Sequence, residues 1–191
     1  MVISSPKMNK KSSYTDKDFE QLVLVGLLQI SEFLTDKFKS KITLSNNLSI
    51  AKEYTPLYTQ KDIAFLLTRK FSGKISGKSY LLFSTQNAKK LCDDKCHDNT
   101  ISEETYACLK ETLKEITNRF LTKFCEGHTP NEFNIEGPLL VHTDFFNSEQ
   151  MLEIDFFNTN HQKEKLLIRS EFMGPNGLII NYHLIIVRRR Y

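Results

Sequence analysis

The sequence predicts an α+β protein in which a largely antiparallel sheet is covered by two long helices. Two long segments, residues 16–39 and 100–124, repeat apolar side chains at spacings of three and four, as one face of a helix does. Shorter segments on both sides of the second helix alternate apolar and polar residues and are bounded by turn residues, as strands are. Because these strands precede and follow the helix in runs, antiparallel pairing is expected.

The first long helix is expected at residues 16–39, with Thr15 as its N-cap. Its apolar face must be buried and consists of Phe19, Leu22, Val23, Leu27, Ile30, Phe33, Leu34 and Phe38. The preceding residues, 1–14, are polar and rich in Ser and Lys, so we expect a mobile N-terminal segment there. A length of 191 residues then predicts a single domain over residues 15–191.

Strand signals also lie between the two long helices. Residues 41–58 predict one or two strands, and residues 62–71 and 78–83 predict a strand pair around the turn-rich Ser72–Gly77. A short helix is expected at residues 85–96.

After the second long helix, four segments are expected to be strands: residues 138–146, 151–157, 165–172 and 178–187. The alternation is clearest in two sets, Leu152, Ile154 and Phe156, and Leu166 and Ile168. Asn147-Ser148 and Gly174–Gly177 supply turn residues between these segments.

The second long helix, residues 100–124, lies at the centre of this order of elements. Thr100 and Glu103 can form a capping box at its start, and Gly127 follows its end. One apolar stripe runs along it and is expected to be buried: Tyr106, Leu109, Leu113, Ile116, Phe120 and Phe124.

Glu115 and Asn118 lie on the side of this helix opposite the stripe, at about 100° of rotation per residue. Their spacing of three makes their side chains neighbours on the exposed face. An amide both donates and accepts, so it can hold a water in one orientation, and a carboxylate can bind an ammonium beside it. The alternative is an ordinary solvated helix face, shared with Glu104, Glu111 and Thr122.

Composition limits the classes of partner. A hydrophobic fraction of 40%, with 14 Phe and 7 Tyr, predicts a sizeable core. The net charge of +3 does not argue for a nucleic-acid partner, and none is expected. A nucleic-acid binder would have to use the basic residues near the two ends, Lys7, Lys10, Lys11 and Arg188-Arg189-Arg190.

No apolar run reaches the roughly 20 residues that a membrane-spanning helix needs. The first residues also lack the apolar core of a signal peptide, so the chain is expected in the cytoplasm without a membrane partner. The four cysteines, Cys92, Cys96, Cys108 and Cys125, are then expected to be free thiols.

The sequence patterns that could indicate a metal site or a catalytic nucleophile are weaker. Cys92, Cys96 and His97 are close in sequence, but their spacing is not that of a usual zinc site, and no metal ligands are assigned. No arrangement of Ser, Cys and His suggests a hydrolytic triad. Gly77-Lys78-Ser79 is followed by a strand pattern rather than a helix, which argues against a phosphate-binding loop.

Three blocks of sequence carry a family resemblance: FSGKISGKSYLLFSTQNAKKL at 71–91, KEITN at 114–118 and GPLLV at 137–141. In this order they resemble the CheC/CheX/FliY family of bacterial chemotaxis phosphatases, and Glu115–Asn118 matches its E-x-x-N signature. The resemblance implies a CheC-like fold. The first helix has Leu28-Gln29-Ile30-Ser31 where a second signature would lie, so the single copy resembles CheX-like members most.

The resemblance also implies an activity, hydrolysis of the aspartyl phosphate of a CheY-like response regulator in chemotaxis signalling. Asn118 would orient the attacking water, and Glu115 would anchor the active-site lysine of the regulator. The enzyme would need no cofactor of its own, since Mg²⁺ is bound by the regulator. CheX-like proteins tend to be homodimers, so a homodimer is expected as well.

One departure from the family supports an alternative function. The family usually has small residues, including a Gly, after its Asn, whereas this chain has Arg119-Phe120-Leu121-Thr122-Lys123. Such bulk could change how the helix approaches a partner. The alternative is therefore a catalytically silent CheC-like module for binding or dimerisation.

Overall fold

A computed structural model describes residues 16–55, 65–73, 75–92, 101–124, 133–137, 139–142, 145–158 and 164–188. In chain order the elements are α1 Asp16–Phe38, β1 Thr43–Leu44, β2 Ser49–Ala51, β3 Phe65–Gly73, β4 Ser76–Phe83, α2 Thr85–Cys92, α3 Glu103–Phe124, β5 Phe133–Ile135, β6 Leu139–His142, α4 Phe145–Phe157, β7 Glu164–Met173 and β8 Ile179–Arg188. The predicted N-terminal segment, Thr15, Thr100 and Gly127 lie outside the described residues. None of the helices in the described ranges is long and apolar enough to cross a membrane.

The eight strands form one sheet in which every recorded pairing is antiparallel. Its order is β1-β7-β8-β4-β3-β5, while β2 also pairs with β7 and β6 with β3. The hairpin of β3 and β4 pairs Arg69 with Ser79, and β4 and β8 pair Tyr80 with His183. The predicted antiparallel sheet is confirmed, whereas the short strand β5 was not expected from the sequence.

One face of the sheet is covered by α1 and α3, as the apolar stripes predict. The stripe residues Leu109, Leu113, Ile116 and Phe120 are all fully buried. The two helices pack closely where α1 has Gly26, since a Cβ there would lie 2.9 Å from Cδ2 of Phe120. A glycine at this position therefore lets the phenyl ring of α3 lie against the backbone of α1.

The other face of the sheet carries α4, and here the prediction of a strand at residues 151–157 is wrong. Leu152 and Phe156 are buried against the sheet, whereas Ile154 between them is 56% exposed. A spacing of four fits both one helix face and one strand face, so these two residues did not distinguish the structures. The turn expected at Asn147-Ser148 lies inside this helix.

Helix α3 begins later than the sequence predicted. The hydroxyl of Ser102 accepts a hydrogen bond from the backbone N–H of Thr105 at 3.1 Å, which is the geometry of an N-cap. Glu103 is the first residue of the helix, one position after this N-cap, and the expected capping partner Thr100 lies outside the described residues. Both Ser102 and Thr100 are good N-cap residues by type, so local sequence alone did not separate them.

Candidate functional site on helix α3

Glu115 and Asn118 lie on one turn of α3, at the edge of its packed face. The Glu115 side chain is 36% exposed, and Asn118 is also only partly exposed. Between them, Ile116 and Thr117 are fully buried. The turn therefore presents a carboxylate and an amide at the surface while its opposite side is fixed in the core.

Thr117 anchors this turn from beneath. Its hydroxyl donates to the backbone carbonyl of Leu113 at 2.7 Å and lies 2.8 Å from the hydroxyl of Ser79 on β4. The phenol of Tyr182 lies beside both hydroxyls, and burial raises its pKa above the usual value. A buried hydroxyl cluster of this kind ties α3 to the middle of the sheet.

Arg69 is the second anchor, and it is not among the site residues predicted from the sequence. It is 6% exposed, and its guanidinium lies against α3. Its guanidinium donates to the backbone carbonyls of Lys114 at 2.8 Å and Glu136 at 2.9 Å, and makes a longer contact of 3.5 Å with Oδ1 of Asn118. Burial lowers the pKa of Arg69 from its usual value.

A sequence signal for Arg69 exists in the alternation of β3. Phe65, Leu67 and Phe71 point to the face under α1 and α3, and Arg69 occupies the same set of positions. A charged residue on the buried face of a strand needs hydrogen-bond partners, so it marks a place where the core meets polar groups.

Arg119 forms an ion pair with the carboxylate of Glu115. Its Nε donates to Oε1 of Glu115 at 2.7 Å, one helical turn away. The same guanidinium lies 4.7 Å from the centre of the Phe33 ring on α1. The residue that departs from the family pattern thus contacts the proposed site directly.

Helix α1 carries no equivalent pair at Leu28-Gln29-Ile30-Ser31. Ser31 is buried, and its hydroxyl donates to the backbone carbonyl of Ile42 at 2.6 Å. Ile30 belongs to the core. This turn of α1 has a structural role, which agrees with a single copy of the motif on α3.

Cysteines and possible metal ligands form the other candidate groups for chemistry. Cys92 of α2 and Cys108 of α3 are free thiols joined by a hydrogen bond, as expected, while Cys96, His97 and Cys125 lie outside the described residues. Within the described ranges, no three His, Cys, Asp or Glu side chains come together as a metal site would require.

Comparison with known proteins gives the fold. No family model and no curated protein matches the chain. Among solved structures, FliY of Thermotoga maritima matches with a TM-score of 0.62 at 10% identity, covering 92% of this chain and 92% of FliY. The chain has a CheC-like fold. The chemotaxis protein CheX of Desulfovibrio desulfuricans matches with a TM-score of 0.56 at 14% identity, covering 87% of this chain and 99% of that one.

A CheC-like superfamily protein of Shewanella sp. PV-4 matches with a TM-score of 0.53 at 16% identity, covering 88% of this chain and 97% of that one. The resemblance to the CheC/CheX/FliY family is therefore confirmed at the level of the fold. These three matches cover 87–92% of this chain and 92–99% of the solved chains.

Proposed function

We propose that this protein is a phosphatase that hydrolyses the aspartyl phosphate of a CheY-like response regulator in chemotaxis signalling. The observation that carries the proposal is the placement of Glu115 and Asn118 on one partly exposed turn of α3, held from beneath by Thr117 and Arg69. The CheC-like fold supports it, since solved chemotaxis proteins share this arrangement of sheet and helices.

This reaction requires little covalent chemistry from the phosphatase itself. An acyl phosphate is already reactive, and the regulator supplies its own Mg²⁺, so the phosphatase has only to place a water in line with the bond to phosphorus. Asn118 orients that water through its amide. Glu115 binds the lysine ammonium of the regulator and thereby sets the position of α3 over the phosphoryl group.

The first experiment is the decay of a phosphorylated CheY-like regulator in Mg²⁺ buffer, with and without this protein. Wild type should shorten the lifetime, and Asn118→Ala should abolish the effect while leaving the fold intact, since a partly exposed helix position tolerates Ala. Thr122→Ala is the matched control, because Thr122 is exposed on the same helix and outside the pair. An Asn118→Ala variant as fast as wild type would refute the mechanism.

A second candidate function is a catalytically silent module for binding or dimerisation. The contact of Arg119 with Glu115 favours it, because it occupies the carboxylate that would otherwise bind the regulator. Such a module binds a phosphorylated regulator without changing its lifetime. Measuring complex formation beside the decay separates the two functions, and the mass of the free protein in solution tests the homodimer.

A further inference from the structure

The contact between Arg69 and Asn118 fixes which way the amide faces. A guanidinium carries only N–H donors, so the amide atom that faces it must be the acceptor Oδ1. The amide NH₂ therefore points away from Arg69. The distance of 3.5 Å from Nη1 to Oδ1 is long for a hydrogen bond, but the charge on Arg69 and the dipole of the amide favour the same orientation.

Arg69 is itself held in place by bonds to two backbone segments. The same Nη1 donates to the carbonyl of Lys114, four residues before Asn118, so the guanidinium lies against this turn of α3. Its Nε donates to the carbonyl of Glu136, which follows β5. With only 6% of the residue exposed, the guanidinium has little room for other rotamers.

We propose that Arg69 is a positioning residue for the reaction at Asn118, and this proposal rests on the phosphatase function proposed above. Arg69 holds Oδ1 inward, so that Nδ2 donates outward to an acceptor oxygen, either that of the attacking water or one of the phosphoryl group. The second lone pair of Oδ1 stays available to accept a hydrogen bond from the water. The buried positive charge also polarises the amide and strengthens Nδ2–H as a donor.

The structure contains a control for the purely structural role of Arg69. Ser79, its partner across the β3–β4 hairpin, lies 2.8 Å from the hydroxyl of Thr117 and donates to the backbone carbonyl of Arg69 at 3.3 Å, so it supports the same turn and strand without taking part in the guanidinium contacts with Lys114, Glu136 and Asn118. Ser79→Ala should therefore destabilise the turn without releasing the amide of Asn118. If only the stability of α3 mattered, Ser79→Ala and Arg69 variants with the same melting temperature would have the same activity.

The test measures the orientation of the Asn118 amide and the rate of the reaction separately. Three-bond couplings about χ2 of Asn118, from Hβ to Nδ2, measured by NMR on the labelled full chain, should report one orientation of the amide in wild type and in Ser79→Ala. They should report averaging over orientations in Arg69→Gln. In decay assays, Arg69→Gln should lower kcat about tenfold to a hundredfold with KM nearly unchanged, as expected for a misplaced catalytic group. Arg69→Lys keeps the charge and should recover part of this loss.

The outcomes separate the two proposals. If wild type fails to shorten the lifetime of any phosphorylated regulator, the phosphatase function is wrong, while the couplings still decide whether Arg69 fixes Asn118. If wild type is active and a folded Arg69→Gln variant keeps full kcat, the positioning role is refuted and the function stands. Averaged couplings in wild type would refute the positioning role even if neither Arg69 variant folded.

Discussion

Arg119 and Glu115 form an ion pair across one turn of α3, with Nε and Oε1 2.7 Å apart. The two side chains are 44% and 36% exposed, so solvent screens the attraction between them. Exposed pairs at this spacing stabilise a helix by only about 0.3–0.5 kcal/mol. If Glu115 binds a lysine ammonium of the regulator, as we propose, that lysine can displace Arg119 at a small cost in free energy, and Arg119 would compete with the regulator for Glu115.

Removing Arg119 should strengthen the interaction with a phosphorylated regulator. Arg119→Ala frees the carboxylate of Glu115, and the KM for the regulator should fall about twofold, since about 0.4 kcal/mol of competition is lost. The dependence of the decay rate on regulator concentration measures this change. Lys123→Ala, which removes a positive charge one turn further along the helix, should leave KM unchanged. A rise in KM for Arg119→Ala would instead mean that Arg119 contacts the regulator itself.

The parts of the fold that the sequence predicted are those with a single periodicity. The stripe of α3 fits only a helix, and the alternation of Leu166 and Ile168 in β7 fits a strand, and those two elements are confirmed. Helix α4 was missed because its apolar residues fit two periodicities, and its packing on the second face of the sheet decides between them. The local sequence does not indicate how this segment packs on the sheet.

The candidate site also has one part that the sequence predicts and one part that it does not. The position of Glu115 and Asn118 away from the stripe follows from helical geometry within one segment. The contact of Arg69 with Asn118 joins residues 49 apart in the chain, through the packing of β3 beneath α3. Only the tertiary structure brings these two residues together, so the alternation of β3 could mark Arg69 as unusual but could not name its partner.

The thiol of Cys108 should react as a thiolate at unusually low pH. A hydrogen bond from Cys92 lowers the pKa of Cys108 to about 6, burial opposes this change, and the ammonium of Lys37 and the hydroxyl of Thr112 support it. Alkylation of Cys108 by iodoacetamide, followed by peptide mass spectrometry, should therefore reach half its maximal rate near pH 6. Cys92→Ala should move this midpoint upward more than Lys37→Met does.

Lys41→Met is the matched control for the loss of one lysine, because Lys41 is exposed and does not contribute to the pKa of Cys108. Its midpoint should equal that of wild type. A midpoint near the ordinary thiol pKa in wild type would show that the hydrogen bond from Cys92 does not persist in solution.

His183 should make the fold less stable in acid. It is buried on β8 between Tyr80 of β4 and Arg169 of β7, and burial together with the charge of Arg169 lowers its pKa to about 3. Between pH 6.5 and pH 3 the unfolded chain therefore binds a proton at this histidine that the folded protein does not. The contribution of His183 to the free energy of unfolding should fall by about 1.4 kcal/mol per pH unit as the pH decreases.

Urea unfolding at pH 4, 5, 6 and 7 measures this slope. His183→Gln keeps a polar side chain on β8 but cannot take up a proton, so its free energy of unfolding should depend on pH less steeply than that of wild type, by about one proton. His161→Gln removes a histidine outside the described residues and serves as the comparison. Equal slopes for wild type and His183→Gln would mean that His183 is protonated in the fold, with its charge accommodated beside Arg169.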